Sequence, residues 1–513
     1  MSSLPWVSCL LSAAVTLGGC KPAPSLQVLG ESTRLAEGEP SPKTSAIFDG
    51  KVLRLRGARG ETLGVSLRIS DAKARRVRLQ LPGVARVDGF SVRSLEVKEA
   101  STDMYGESRG VGRYPDILMP VAEAEVTAEK QAYFDVAIAD QATPGRYEGA
   151  LVVSDQRFPV TLEVSSARID LAREPFVWVF YLPRELAKAH GLPDDDAPAL
   201  LEVENRYHEL FRAHGAFLAA DLPPSRFEAR RRFIHDVAYW PVAIDISSDE
   251  AIERDVQRWL ALFRGSAVTP FAIPVDEPHT SEARLRARHI AEVIRRAGGG
   301  RPRLLCAVTD AWSPVYGDSM DVYLSPANFP SPASTRAALG ERFWTYNGRP
   351  PSAGSLILDT DGVALRSWGW IAERYDVELW HAWEGLYFSD RYNRGAPHDV
   401  LQEPLTFDER RRGGTDFGNG DGILAYPGPR PSLRLKALRR GLSDRLLLRE
   451  LARCGGASTA RRIVRRLVPR ALGEAQSQGR GTWSLEEPVW ESARLEVLDA
   501  IEKECHEQTA LAH

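Results

Sequence analysis

The chain has 513 residues, with 66 Lys+Arg against 69 Asp+Glu and a formal net charge of -3. That length is a soft prior for roughly two to four domains, with core enough to need no metal or disulfide staple. The charge balance argues against a nucleic-acid partner, which wants a clustered basic excess.

Residues 4 to 17, LPWVSCLLSAAVTL, are mostly apolar, too short to span a bilayer, and run directly into Leu17-Gly18-Gly19-Cys20. Small residues ahead of a cleavage point suit signal peptidase. The stretch resembles a bacterial lipobox, although no Lys or Arg precedes it. That resemblance implies a lipoprotein signal over 1–20, a lipid on Cys20, and a body held in the cell envelope, periplasmic or at the surface. Residues 21–45 are rich in Pro, Ser, Gly and Glu and read as a flexible tether. Cys454 and Cys505 can pair in an oxidising compartment, and Cys306, within Leu304–Val308, reads as an inert core thiol. No cysteine spacing resembles a zinc site.

Short runs of period two follow: Val52–Leu55, Leu63–Ile69, Val77–Leu81, Tyr133–Ile138, Tyr147–Val153 and Phe158–Val164. With turn residues such as Thr143-Pro144-Gly145-Arg146 between them, they predict a β-sandwich over 46–168. From Glu174 the pattern changes to short apolar strands alternating with amphipathic helices. The strands are expected at Phe176–Tyr181, Ala216–Ala220, Val242–Ile246, Phe271–Val275, Leu304–Val308, Val322–Leu324, Phe343–Tyr346 and Val377–Ala382. Eight such units in about 280 residues predict a (β/α)8 barrel over 169–455. An open doubly wound sheet has the same alternation, but no GxGxxG follows the first strand. Residues 456–513 carry two more helices, Thr459–Leu472 and Val489–Glu504, rich in Arg and Glu, which read as a solvated covering layer.

Asp276-Glu277-Pro278 follows the fourth of these strands. Barrel chemistry sits at the C-terminal ends of strands. Pro278 ends the ladder, so adjacent carboxylates can turn into one site. Crowded like charges keep one of them protonated as a general acid. Adjacent residues cannot easily flank a glycosidic bond from two sides, as ordinary glycosidase carboxylates do. The pair suits substrate assistance instead: Glu277 protonates the leaving oxygen and Asp276 holds a 2-acetamido group that attacks. For conventional chemistry the second carboxylate comes from Asp245, Asp359 or Glu384. Helix capping near Ser281 is the competing structural explanation. Aromatic residues crowd the last third of the expected barrel, and Tyr346 and Trp383 are the best placed to wall a sugar pocket. His279 and His381 read as hydrogen-bonding neighbours. Gly420–Gly428 reads as the loop after the eighth strand, its glycines serving tight backbone and a cap for the helix at Ser432, with Asp421 still able to reach the pocket.

Asp276-Glu277-Pro278, Phe343-Trp344-Thr345-Tyr346 with Asp359, and Leu365-Arg366-Ser367-Trp368 resemble glycoside hydrolase family 123 and the related domain of unknown function 4091. So do Gly420–Gly428 followed by Pro431–Asp444, and the Thr143–Gly149 turn. The resemblance implies a retaining, substrate-assisted β-N-acetylgalactosaminidase-like enzyme. In it Glu277 is the acid/base and Asp276 orients the acetamide. Tyr346, Asp359, Trp380 and Trp383 are expected to bind substrate, although Val377–Trp383 departs from the family's usual run on the eighth strand. The expected partners are a glycan substrate and, through Cys20, a membrane; neither a metal nor an organic cofactor is required. The alternative is a non-catalytic, carbohydrate-binding envelope lipoprotein.

Overall fold

The structure, a computed structural model, describes residues 26–511 apart from 41, 43, 70–74, 82, 122–124, 129–130, 300–302, 325–341, 394–397 and 476–481. The signal over 1–20, with its Cys20, lies outside the described residues. Among those described, no helix is long and apolar enough to cross a membrane.

Ten strands build the first unit. They are β1 (Leu26–Gly30), β2 (Leu53–Arg59), β3 (Thr62–Ile69), β4 (Arg75–Gln80), β5 (Ala85–Val97), β6 (Gly112–Pro120), β7 (Glu125–Ala128), β8 (Gln131–Ile138), β9 (Gly145–Val153) and β10 (Gln156–Arg168). They form two five-stranded sheets, β1-β3-β8-β5-β6 and β2-β10-β9-β4-β7. The inward sets, among them Leu53, Leu55, Val65, Leu67, Phe134, Val136, Leu151 and Leu162, close one core between the sheets. Each such side chain contributes about 1.5–3 kcal/mol by leaving water. This is the sandwich that the period-two runs predict.

One expectation is corrected here. The tether over 21–45 is not free: β1 pairs antiparallel with β3 in the register Leu26↔Ile69 to Gly30↔Val65. Val28 and Leu29 are buried, and the Glu31 carboxylate accepts a hydrogen bond from Gly64 N at 2.8 Å. Two apolar side chains and a ladder outweigh the polar composition around them.

The second unit has eight parallel strands: β11 (Val177–Val179), β12 (Ala216–Leu218), β13 (Tyr239–Pro241), β14 (Thr269–Ala272), β15 (Leu305–Val308), β16 (Val322–Leu324), β17 (Arg342–Tyr346) and β18 (Trp380–Ala382). Their order is β12-β11-β18-β17-β16-β15-β14-β13, so the last strand returns beside the first. The expected closed barrel is therefore a curled sheet with one open seam. β12 and β13 share no ladder; Phe217 and Trp240 stack across the gap with ring centroids 6.2 Å apart. Both seam strands are three residues long, and Pro241 has no N–H to give. Trp178, Phe271 and Trp344 pack among the buried side chains of this half.

Helices cover the sheet: α1 (Pro183–Ala189), α2 (Pro198–Arg212), α3 (Pro224–Phe227), α4 (Asp249–Leu262), α5 (Ser281–Gly298) and α6 (Ser367–Tyr375). After β15 a short 3-10 turn, Pro314–Tyr316, stands where a barrel helix is expected. Capping fixes the helix starts that matter. Ser248 and Thr280 accept from Ala251 N and Ala283 N at 3.2 and 3.1 Å, satisfying donors that the first turn leaves open.

α7 (Leu433–Leu451), capped by Ser432, is buried almost all round and runs between the two units. Its cations meet carboxylates of the sandwich: Arg434 with Asp116 (2.9 Å), Lys436 with Asp135 (2.6 Å), Arg439 with Glu31 and Asp135 (2.6 Å each) and Arg440 with Glu61 (2.9 Å). α8 (Ala457–Leu467) and α9 (Glu487–Leu511) follow. They correct the expected solvated layer, because Glu491 and Arg494 of α9 are buried. Glu491 binds Arg440 at 2.9 Å and Arg494 binds Glu61 at 2.6 Å. Cys454 and Cys505 are disulfide-bonded. Cys306 is buried, and burial pushes its thiol up to about 12, so it is inert at neutral pH.

Candidate active site

β14 ends at Ala272, and Ile273–Val275 carry the chain to the rim of the curled sheet. There Asp276 and Glu277 are both exposed. The turn between them is made by Glu277 itself, whose φ of 41° is left-handed. A residue with a Cβ holds that conformation at a cost, and such strain gathers at functional sites. Thr309, just past the end of β15, fixes the turn. Its hydroxyl accepts from Glu277 N and donates to Asp276 Oδ1, both at 2.6 Å. One buried hydroxyl thus sets the direction of both acids. Pro278 was expected to break the pleat; the left-handed residue before it makes the turn.

β17 delivers Tyr346 to the same rim. Its hydroxyl donates to Glu277 Oε1 at 3.1 Å, and burial, reinforced by the charge of Glu277, raises its ionisation well above the tyrosine range. His279 Nε2 lies 3.7 Å from Glu277 Oε2, on a side chain mostly in solvent. His381 stacks on Trp178 with centroids 3.8 Å apart, and burial lowers it to about 3, so it stays neutral.

The next residue, Asn347, ties three elements together. Its Oδ1 accepts from Trp383 N at 2.9 Å, its Nδ2 donates to Tyr105 OH at 3.3 Å, and its carbonyl accepts from Trp380 Nε1 at 2.9 Å. Trp383, just past β18, donates from Nε1 to Asp421 Oδ1 at 2.9 Å. Burial pushes Asp421 up to about 7, against the opposing Trp383 N–H and Arg434. Gly422 lets the 420–428 loop lie this close: a Cβ there would stand 2.7 Å from Tyr387 Cβ. Tyr105 comes from the sandwich, on the loop after β5. Burial, with the charges of Asp421, Tyr346 and Glu277 around it, raises its ionisation far above the tyrosine range.

The other expected site residues fall elsewhere. Asp359 is fully buried and accepts from Ser101 N and Ser101 Oγ at 2.8 and 2.7 Å. It fastens the sheet to the sandwich and does not face the rim. Trp380 is buried against Trp368 of α6, centroids 4.7 Å apart, on the outer face of its strand. Asp245 accepts from Ser247 N at 3.0 Å and pairs with Arg254 at 3.2 Å, beside the start of α4. Glu384 is buried in an ion pair with Arg391, and burial still pushes it up to about 8 against that cation. Asp221, past β12, feels both Asp276 and Arg391; burial and then Asp276 raise it to about 6. Asn347, Thr309 and Tyr105 were not foreseen. Only Thr309, at a strand end beside Asp310, carried any local signal.

A separate cavity of about 270 Å3, lined by Asp103, Arg109, Arg349, Thr360 and Trp483, lies under the loop that bears Tyr105. It does not include Asp276 or Glu277.

The chain was compared with known proteins. No family model and no curated sequence matches it. Among solved structures, a family 123 glycoside hydrolase from Clostridium perfringens, studied for glycolipid glycan hydrolysis, superposes with a TM-score of 0.66 at 12% identity, over 96% of this chain and 100% of that one. A β-glucuronidase from Faecalibacterium prausnitzii (TM-score 0.30, 9% identity, 82% and 66% of the two chains) and a family 2 glycosyl hydrolase from Bacteroides cellulosilyticus (0.27, 11%, 64% and 44%) are far more distant. Across nearly its whole length, the chain shares the fold of a family 123 glycoside hydrolase.

Proposed function

We propose that the chain is a retaining, substrate-assisted glycoside hydrolase acting on β-linked N-acetylhexosaminides, with N-acetylgalactosamine favoured. The observation that carries this is the Thr309-braced pair at the end of β14. The two acids leave one strand end side by side, an arrangement that does not flank a bond from two faces. Glu277, about half exposed and reached by the Tyr346 hydroxyl, is the general acid. It gives its proton to the leaving oxygen as the glycosidic bond breaks. Asp276 accepts from the acetamide N–H, so that the amide oxygen attacks C1 and closes an oxazoline-type ring. Glu277 then takes a proton from the water that opens that ring, and the starting anomer is restored. General acid–base catalysis of this kind contributes about 10²–10⁴-fold. Trp383 supplies an aromatic wall, which Asn347 and Asp421 hold in place. The structural neighbour's glycosidase activity agrees with this reading.

Soluble residues 21–513 would be assayed on aryl β-N-acetylgalactosaminide, β-N-acetylglucosaminide and β-galactoside. The expected result is cleavage of the acetamido sugars alone, with the β-anomer as first product by NMR. Asp276→Asn should slow these by roughly 10²-fold or more. Cleavage of the galactoside at a similar rate, or inversion, contradicts the mechanism.

Residues 1–20 are proposed as a lipoprotein signal and Cys20 as the lipid-bearing residue of an envelope protein, supported by the Leu17–Cys20 run. With β1 starting at Leu26, six residue steps separate it from Cys20, a span of at most about 22 Å. The sandwich would then sit close to the bilayer. Labelled palmitate should enter the wild type and not Cys20→Ala; equal labelling contradicts the anchor.

A further inference from the structure

The cavity of about 270 Å3 behind the rim is walled by three parts of the chain. They are the 103–109 loop after β5, residues between 349 and 364 after β17, and Trp483 with Leu485 ahead of α9. The first two also carry Tyr105 and Asn347, whose side chains meet at 3.3 Å. They are drawn together again at the cavity. Asp103 pairs with Arg349 at 3.2 Å, and Gly106 lies so close to Pro350 that a Cβ would stand 2.7 Å from its Cδ. Asp103 and Arg349 are more than half exposed and mark the mouth, while Trp483, at 7%, is nearly closed off from water. Close packing leaves few gaps larger than a water molecule. A cavity of this size stands at the small end of ligand pockets, which run from about 300 to 1,000 Å3, and has room for one ring.

The lining says which ring. Its cations already face carboxylates: Arg349 has Asp103, and Arg109 has Glu39 and, at 3.8 Å, Asp361. A charged ligand would find no uncompensated partner there and would lose its hydration. A neutral ligand with several hydroxyls fits, because each hydroxyl can donate to a carboxylate and accept from a guanidinium. The separation of 3.8 Å between Arg109 Nε and Asp361 is too long for a hydrogen bond, so both groups keep capacity for such a bridge. Pro350, Ala364, Trp483 and Leu485 supply the apolar wall that the C–H groups of the same ring require.

We propose that this cavity is a second, non-catalytic ligand site that takes one neutral pyranose ring between Arg349, Arg109, Asp361 and Trp483. Neither Asp276 nor Glu277 lines it, so it binds sugar without cleaving it. Its occupant bridges the two loops that hold Tyr105 against Asn347. The inference goes beyond the glycosidase reading and does not depend on Glu277 being the acid.

The test is titration calorimetry on the full chain with methyl β-galactoside, methyl β-glucoside and glucuronate. The first two are neutral pyranoses without the acetamide that the proposed rim chemistry needs. At least one of them should bind saturably with millimolar affinity, and more tightly than glucuronate. Arg349→Ala and Asp361→Ala, at side chains that solvent already reaches, should each weaken that binding roughly tenfold, as loss of one hydrogen bond to a charged group does. Their melting temperatures show that they fold. Asp276→Asn should leave the affinity unchanged. No saturable binding of either neutral sugar, equal affinity in both cavity variants, loss of binding in Asp276→Asn, or tighter binding of glucuronate would each overturn the second site. None of these results touches the assignment of Glu277, which is read from hydrolysis.

Discussion

Charged residues gather in two places in this molecule, and they are handled in opposite ways. At the rim, Asp276 and Glu277 stand in water, positioned by one threonine hydroxyl and one tyrosine. Along α7, Arg434, Lys436, Arg439 and Arg440 are sunk between two domains, each on a carboxylate. Burying an ion pair gains little net stability, because desolvation offsets attraction, but losing one partner strands the other. The α7 array therefore sets how the sandwich docks on the curled sheet, while the exposed pair is left open to solvent, as the proposed proton transfer requires. Density of charge in the sequence marks architecture here; the proposed chemistry is assigned to the place where the charges are sparse and open.

Substitutions that separate the two regions sharpen the contrast. Arg439→Ala strands Glu31 and Asp135 in the interface and should cost about 3–5 kcal/mol in denaturant unfolding, with KM unchanged in whatever folds. A loss below 1 kcal/mol would remove α7 from its docking role. Cys454→Ser opens a disulfide closing a sequence separation of 51 residues and should cost about 4 kcal/mol by chain entropy. The same loss under reducing agent in the wild type checks it, and activity per folded molecule should stay constant.

Asp421 gives a pH test of the aromatic wall. Its native carboxyl keeps a proton up to about 7, whereas an unfolded aspartic acid loses it near 3.9. The stability linked to that proton is full below the unfolded value and is lost as pH rises through about 7. Melting of the wild type and Asp421→Asn between pH 4 and 8 should therefore diverge by about 2–4 kcal/mol in favour of the variant. Parallel curves would show that Asp421 is ionised in the fold. Smallest in stability is Thr309→Val, which removes two hydrogen bonds and should cost about 1–2 kcal/mol. Its mark is on rate: kcat should fall roughly 10–100-fold with KM little changed, because the acids lose their aim. Thr309→Ser should restore it; failure to do so would reduce the hydroxyl to packing.

Much of this was legible in the sequence, for reasons that also explain the misses. Period two found the sandwich strands because one face of each sheet is buried, and β14 was expected at Phe271–Val275 close to its place. β13 was expected at Val242–Ile246 but ladders at Tyr239–Pro241, because Val242 is buried beyond the strand end and looks the same in sequence. β1 was hidden by the polar residues around it. The acid pair was visible as two carboxylates after an apolar run. Trp380 and Asp359 were misplaced because a residue type does not reveal which face of a strand it takes, or which domain it meets. Tyr105 could not be read at all, since a sandwich loop reaches the rim only through tertiary packing. The family-like combined run, Gly420–Gly428 followed by Pro431–Asp444, was the most specific pattern in the chain; its second part opens the docking helix, and only its first part, through Asp421, reaches Trp383.

The central claim is that Glu277 moves a proton and packs against little. It is tested most directly by measuring kcat on aryl β-N-acetylgalactosaminide and the melting temperature on the same preparations of wild type and Glu277→Gln. A loss of about 10²–10⁴-fold in kcat with an unchanged melting temperature is the expected result. A variant that turns over at the wild-type rate would contradict the assignment.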